Sequence, residues 1–308
     1  MGRVRAKTRA LNGAMLGIVL IVSSYMFVPL MDGIAKFLST GYPVIEIVWA
    51  RYFFHLLILL PLTVARHGPR ALLPRRPLAQ LLRGSLLLGS TIFFFAAIAE
   101  MPIADALALV FISPLLVTAL SPLVLDETVG LRRGAAVVVG FVGALVIIRP
   151  GIGVMQPAAF WALGAGALYG CYLLATRRLA GAAPPLVTLT YTALVGAIVM
   201  TLWAPFVWVP PTPAIWAWMI AMGAIAAGGH FLLIHAFEHA PAAVLAPFAY
   251  TEIVSATAVG FLAFGDFPDG WTWVGIAIIA ASGLYISRRE RLLKRAPDDD
   301  ASSSAIQP

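Results

Sequence analysis

Cysteine is almost absent: Cys171 is the only one in 308 residues. A lone cysteine closes no intrachain disulfide and leaves no CxxC or Cys/His cluster, so redox chemistry and structural zinc are set aside. Charge is scarce as well. Only 11% of the residues are charged and 61% are hydrophobic, whereas an ordinary soluble domain carries roughly 25% charged residues. That composition excludes a water-soluble globule. No Walker A sequence and no HExxH array occurs, which leaves neither direct ATP hydrolysis nor a metalloprotease-type centre to consider. The formal charge of +7 does not imply nucleic acid, because the basic residues fall outside any folded soluble patch.

What is present is a series of apolar stretches of about 20 residues, the length a helix needs to cross a roughly 30 Å hydrocarbon layer. The chain therefore reads as an all-α polytopic membrane protein. Ten spans are expected near 13–35, 43–65, 79–99, 103–125, 132–149, 157–176, 185–206, 214–236, 241–264 and 270–287. With the N-terminus cytoplasmic, 18 of the 21 basic residues collect on one side, as the positive-inside rule requires. They include Arg66, Arg70, Arg75, Arg76 and Arg83 after span 2, and Arg288 to Arg295 at the C-terminal end. Lys36, Arg51 and Arg149 are left for spans or the outer face. Seven tryptophans (Trp161, Trp203, Trp208, Trp216, Trp218, Trp271 and Trp273) stand at outer span ends, and Trp49 lies elsewhere. Both termini are thus expected in the cytoplasm, and the basic-then-apolar start reads as a retained first helix rather than a cleaved signal.

Residues 97–116 align with 236–255 at an offset of 139: Pro102 meets Pro241, Phe111 meets Tyr250, Ser113 meets Glu252, and beyond them Glu127 meets Asp266. The matched pieces are the fourth–fifth and ninth–tenth spans. A repeat of five spans places its second copy upside down, the plan by which many secondary carriers build two access states around one midplane site. The expected organisation is a tail at 1–12, a first repeat at 13–149, a linker at 150–156, a second repeat at 157–287 and a disordered cytoplasmic tail at 288–308. GAMLG (13–17) and GALYG (166–170) are GxxxG patterns that permit close helix approach, although ordinary membrane-helix composition explains them equally well.

The segments MPIADALALVFISPLLVTALSPLVLDETVGLRRGAAVVVGFVGALVIIRPG and APFAYTEIVSATAVGFLAFGDFPDGWTWVGIAIIAASGLYISRRE resemble the fourth–fifth and ninth–tenth helices of EamA-type members of the drug/metabolite transporter superfamily. DGIAKFL followed by PVIEIVWARYFF resembles that family's first two helices, so the likeness covers about residues 13–290. One departure is Asp266, where the family usually has Glu. The resemblance implies a ten-helix, two-repeat carrier of small organic solutes without saying which solute.

An ionisable group inside a span costs at least about 2.5–3.5 kcal/mol on insertion scales and calls for a partner, a wet cavity or a function. Asp32 and Lys36 are four apart in span 1 and form a candidate gate ion pair. Arg51 and His55 share a face of span 2, and Arg51 asks for a carboxylate partner or an anionic substrate group. Glu252, in span 9, is a candidate to carry a proton, to bind a substrate ammonium or to pair with Arg51. His230, in span 8, titrates near neutrality when solvated but is equally explained as a neutral hydrogen-bonded residue, while His235 and His239 approach solvent with Glu238. Pro114 and Pro247 interrupt spans 4 and 9 at related positions, freeing carbonyls that lipid cannot satisfy. Arg51, His55, Ser113, His230, Tyr250 and Glu252 are accordingly the expected substrate-binding or coupling residues, with no metal and no cofactor. The partners expected are the bilayer, a small solute and protons, in the inner (plasma) membrane. The reading from the residues is a secondary carrier for an amino acid, amine or related metabolite; an intramembrane enzyme acting on a lipid or isoprenoid is the alternative.

Overall fold

A computed structural model describes residues 2–73, 76–125, 129–149, 157–179, 181–240 and 242–304. Glu127, Pro241 and the 150–156 linker, all singled out above, lie outside the described residues. Within them every regular element is helical, and ten helices are long and apolar enough to cross a bilayer. Helix is the solution the sequence demands, since a spanning segment in hydrocarbon must satisfy its backbone groups internally.

Helix 1 is Gly2–Leu38, helix 2 Val44–His67, helix 3 Pro77–Glu100, helix 5 Leu131–Ile148, helix 6 Ala158–Arg178, helix 7 Pro185–Trp203, helix 8 Pro213–His239 and helix 10 Gly270–Ser304. Helices 4 and 9 are broken. Helix 4 consists of Ile103–Val110 and Ser113–Val124, separated by a turn at Phe111 and Ile112. Helix 9 starts with Ala242–Leu245, tightens to a 3-10 turn over Ala246–Tyr250 and resumes at Thr251–Phe264. Each break carries the expected proline, Pro114 in the first turn of the second segment and Pro247 in the 3-10 turn, where a missing N–H costs little. The chain beyond 288, expected to be disordered, is a helical continuation to Ser304. The segment RRERLLKR that leads into it consists of strong helix formers.

Helix 1 packs on helices 8 and 9, and helix 2 also packs on helix 8; correspondingly, helix 6 packs on helices 3 and 4, and helix 7 also packs on helix 3. This defines two halves, helices 1, 2, 8 and 9 against helices 3, 4, 6 and 7, that meet along the 2–7 and 4–9 seams, with helices 5 and 10 paired beside them. Small residues make the packing within a half tight. A Cβ on Gly166 would lie 3.1 Å from the Val110 Cα, and one on Gly170 would lie 3.3 Å from the Ser113 carbonyl oxygen, so the GALYG pattern is the groove in which the broken helix 4 sits. The 2–7 seam is pinned by Thr63 and Thr190 hydroxyls 2.6 Å apart at one end and by Trp49 Nε1 donating to Thr201 Oγ1 at the other.

Candidate functional site

The half formed by helices 1, 2, 8 and 9 carries a cluster of deep ionisable groups. Asp32, Arg51 and His55 are buried, at 2%, 5% and 2% exposure, and His230 and Glu252 are partly buried beside them. Arg51 interacts electrostatically with Asp32, His55 and His230, and Asp32 with Glu252. The His55 and His230 rings are 5.4 Å apart. His230 is anchored to its own helix through Nδ1, 2.8 Å from the Ala226 carbonyl oxygen. Arg51 lies over the Tyr52 ring at 4.4 Å, yet among the described residues its Nε and Nη1 find no acceptor, and neither nitrogen of His55 has a hydrogen-bond partner. Donors left open in a buried site ask for an acceptor from a ligand, because an unpaired buried polar group costs about 1–3 kcal/mol and a charged one more.

Opposite this charge cluster the facing half places aromatic rings. Tyr169 and Tyr172 of helix 6 stack with centroids 5.7 Å apart, and Tyr169 is in electrostatic reach of Tyr25 and Glu252. Sequence reading passed over these tyrosines because nothing in an apolar helix distinguishes a lining ring from a packing one. Tyr250 stacks on Phe111, centroids 5.0 Å apart, at the crossing of the two broken helices. These are the residues that the 139-residue offset makes equivalent. Ser113 is buried in the helix 4 segment that packs against Gly170 of helix 6.

Several expectations are corrected. Among the described residues no ion pair joins Asp32 to Lys36; Lys36 Nζ lies 2.7 Å from Asp266 Oδ2 and donates to the Met101 carbonyl oxygen at 2.8 Å. Lys36 stands one turn nearer the helix end than Asp32, which puts its long side chain among the corners rather than over the buried carboxylate. Glu252 forms no ion pair with Arg51; Glu46, in the first turn of helix 2, accepts the Val209 N–H through Oε2 at 3.0 Å. Arg83, counted among the cytoplasmic loop residues, is 2% exposed; it donates to Thr192 Oγ1, to the Thr188 carbonyl and, at 3.5 Å, to Thr176 Oγ1, and faces the Tyr172 ring. Its position six residues into helix 3 was the available signal. Trp49, set apart from the other tryptophans, packs against Trp208 and Trp216 at centroid distances of 5.1 and 6.1 Å and joins their aromatic cluster. His235, expected to be solvated, meets Glu238 at 2.8 Å at a partly exposed helix end.

Among the described residues no group of three His, Cys, Asp or Glu side chains is arranged to hold a metal ion. The second polar centre lies at the corners: Arg149, the left-handed cap of helix 5 with φ 49°, pairs with Asp269 before helix 10. The Arg149 guanidinium, followed by the Thr272 N–H, holds the Asp269 carboxyl below the ordinary carboxylate range.

The EamA-like transporter family matches residues 15–149 and again 156–288. The chain belongs to the EamA-like transporter family. Within that family it is 28% identical over 282 residues to an S-adenosylmethionine uptake transporter of Rickettsia prowazekii, covering 92% of this chain and 96% of that one. It is 29% identical over 287 residues to a riboflavin transporter of Rhizobium johnstonii, covering 92% and 95%. A solved crystal structure matches it with a TM-score of 0.62 over 90% of this chain and 97% of that one, at 20% identity, a likeness of fold. The protein is a multi-pass membrane transporter for small molecules, not an enzyme.

Proposed function

We propose that this transporter is a secondary carrier that moves a small organic metabolite across the bacterial inner membrane by alternating access. In this reading helices 1–5 and 6–10 are two inverted repeats, and both termini are cytoplasmic. Helix packing supports the repeat: exchanging each helix with the one five later converts the 1–8 pair into 6–3, 2–8 into 7–3 and 1–9 into 6–4, and leaves 2–7, 4–9 and 5–10 unchanged. The two matches of one family support it as well.

The observation that carries the reading is the set of open donors on Arg51 and His55, buried beside the carboxyls of Asp32 and Glu252. Arg51 and His55 would take an anionic group of the solute, the two carboxyls would face a cationic one, and Tyr169 and Tyr172 would present ring faces to the remainder. An amino acid, amine or related metabolite fits this arrangement, and the relatives named for S-adenosylmethionine and riboflavin both carry flat heteroaromatic systems that such rings accommodate. Tyr250 against Phe111 would serve as the pivot where the broken helices cross, with Ser113 beside it. Glu252 would carry a proton in exchange for solute, being the partly exposed carboxyl of the pair.

The test uses purified protein in proteoliposomes, with solutes drawn from a thermal-shift screen of metabolites. Wild type is expected to accumulate a screened solute under an imposed pH gradient, and Glu252→Gln to bind it but lose gradient-driven accumulation. Full accumulation by Glu252→Gln removes the coupling role; absence of flux for every stabilising ligand removes the carrier reading.

A further inference from the structure

At the corners following helices 1, 3 and 9 one side chain links the two halves. Lys36 leaves helix 1 two residues before its end, with its ammonium 2.7 Å from Asp266 Oδ2, 2.8 Å from the Met101 carbonyl oxygen and 5.3 Å from the Phe264 ring centroid. Asp266 follows helix 9, in the same half as helix 1. Met101 caps helix 3, in the other half, and is 5% exposed. The last carbonyls of a helix lack internal donors and carry the negative end of its macrodipole, so a buried one is stabilised by a cation. The ion pair within one half thus aims the ammonium, and the bond to Met101 crosses to the other.

Beside this contact lies a pocket of about 220 Å³ lined by Met101, Asp105, Arg149, Phe267, Asp269 and Thr272, among others. Asp105, also in the second half, has a buried Oδ1 without a hydrogen-bond partner among the described residues, and lies in electrostatic reach of Lys36, Arg149, Asp266 and Asp269. Its carboxyl adds to the field that draws Lys36 across. The Arg149–Asp269 pair joins helices 5 and 10 and crosses no boundary between the halves.

We infer that Lys36, positioned by Asp266 and docked on the C-terminus of helix 3, is the clamp that closes this end of the transporter, and that this end opens when the Lys36–Met101 bond breaks. The inference rests on the alternating-access reading. Loss of one charge-assisted hydrogen bond shifts a two-state balance by about tenfold or more.

The experiment measures spin-label distances between Thr40→Cys and Glu100→Cys, two exposed positions flanking the clamp, in a Cys171→Ser background in nanodiscs. Lys36→Met is expected to raise a longer-distance population about tenfold, Lys36→Arg much less, and Asp266→Asn by an intermediate amount. Asp266→Asn leaves the lysine in place and serves where Lys36→Met fails to fold. Asp269→Asn is expected to leave the distribution as in wild type. Unchanged distances in both Lys36→Met and Asp266→Asn, or an equal rise in Asp269→Asn, overturn the clamp. Flux measured for the same variants in proteoliposomes separates the two ideas: wild-type flux with no opening in the variants sinks the clamp alone, whereas opening without flux upholds the clamp and sinks the carrier.

Discussion

Arg51 and Arg83 are both arginines lodged in spanning helices, and their surroundings assign them different work. Arg83 spends its fork on Thr188, Thr192 and Thr176, tying helix 3 to helices 7 and 6. Arg51 keeps Nε and Nη1 open beside Asp32. Arg83→Gln is therefore expected to lower the melting temperature in detergent, by the loss of about 1.5–3 kcal/mol typical of a hydrogen bond to a charged group, while solute affinity stays within about twofold. Arg51→Gln should do the reverse, weakening solute binding about tenfold or more in a thermal-shift titration with little change in the ligand-free melt. A common effect of both variants on stability alone would argue that Arg51, too, is structural. Arg51 stood out as a deep cation in the sequence, whereas Arg83 was counted with the cytoplasmic basic residues. Neither role was legible, because a side chain's acceptors come from other helices: Arg83 and Thr192 are 109 residues apart.

The breaks of helices 4 and 9 were legible as elements, since Pro114 and Pro247 remove backbone donors at matching places. What the breaks accomplish was not legible. The turn at Phe111 and Ile112 lets helix 4 settle on Gly166 and Gly170 and brings Phe111 onto Tyr250. Gly166→Val is expected to wedge helices 4 and 6 apart and cost about 1–3 kcal/mol, as overpacking does, read as a lower melting temperature. Helices 5 and 10 are joined at their corner by Arg149 and Asp269, where the carboxyl is held below its ordinary value. Such a group adds stability above the unfolded carboxylate pKa near 3.9, and that stability is lost as pH falls through the lower folded value. The Asp269 side chain is 50% exposed, so the contribution is at most about 1 kcal/mol. Wild type and Asp269→Asn should therefore melt apart at neutral pH and converge below about pH 4; a constant gap across that range would contradict the assignment.

At the scale of the whole molecule the proposed orientation has a direct readout. Reporters fused after the tail and at the corner near Leu73 should register the cytoplasm, and reporters at Gly41 and Gly265 the opposite side. The reverse pattern would place the Lys36 end of the transporter on the cytoplasmic side. Ten spans, their approximate ends and the family were determined by the amino-acid sequence itself, because hydropathy, basic end residues and helix-breaking prolines are local properties that act wherever the chain goes. Charge partners were decided only by tertiary structure. Asp32 and Lys36 are one turn apart and do not pair, while Lys36 and Asp266, 230 residues apart, do. The division into two halves, the burial of Arg83 and the return of Trp49 to the other tryptophans have the same origin. A span's sequence specifies that it enters the bilayer, but lipid tails are as apolar as the side chains that face them, so only helix-to-helix packing selects which faces meet.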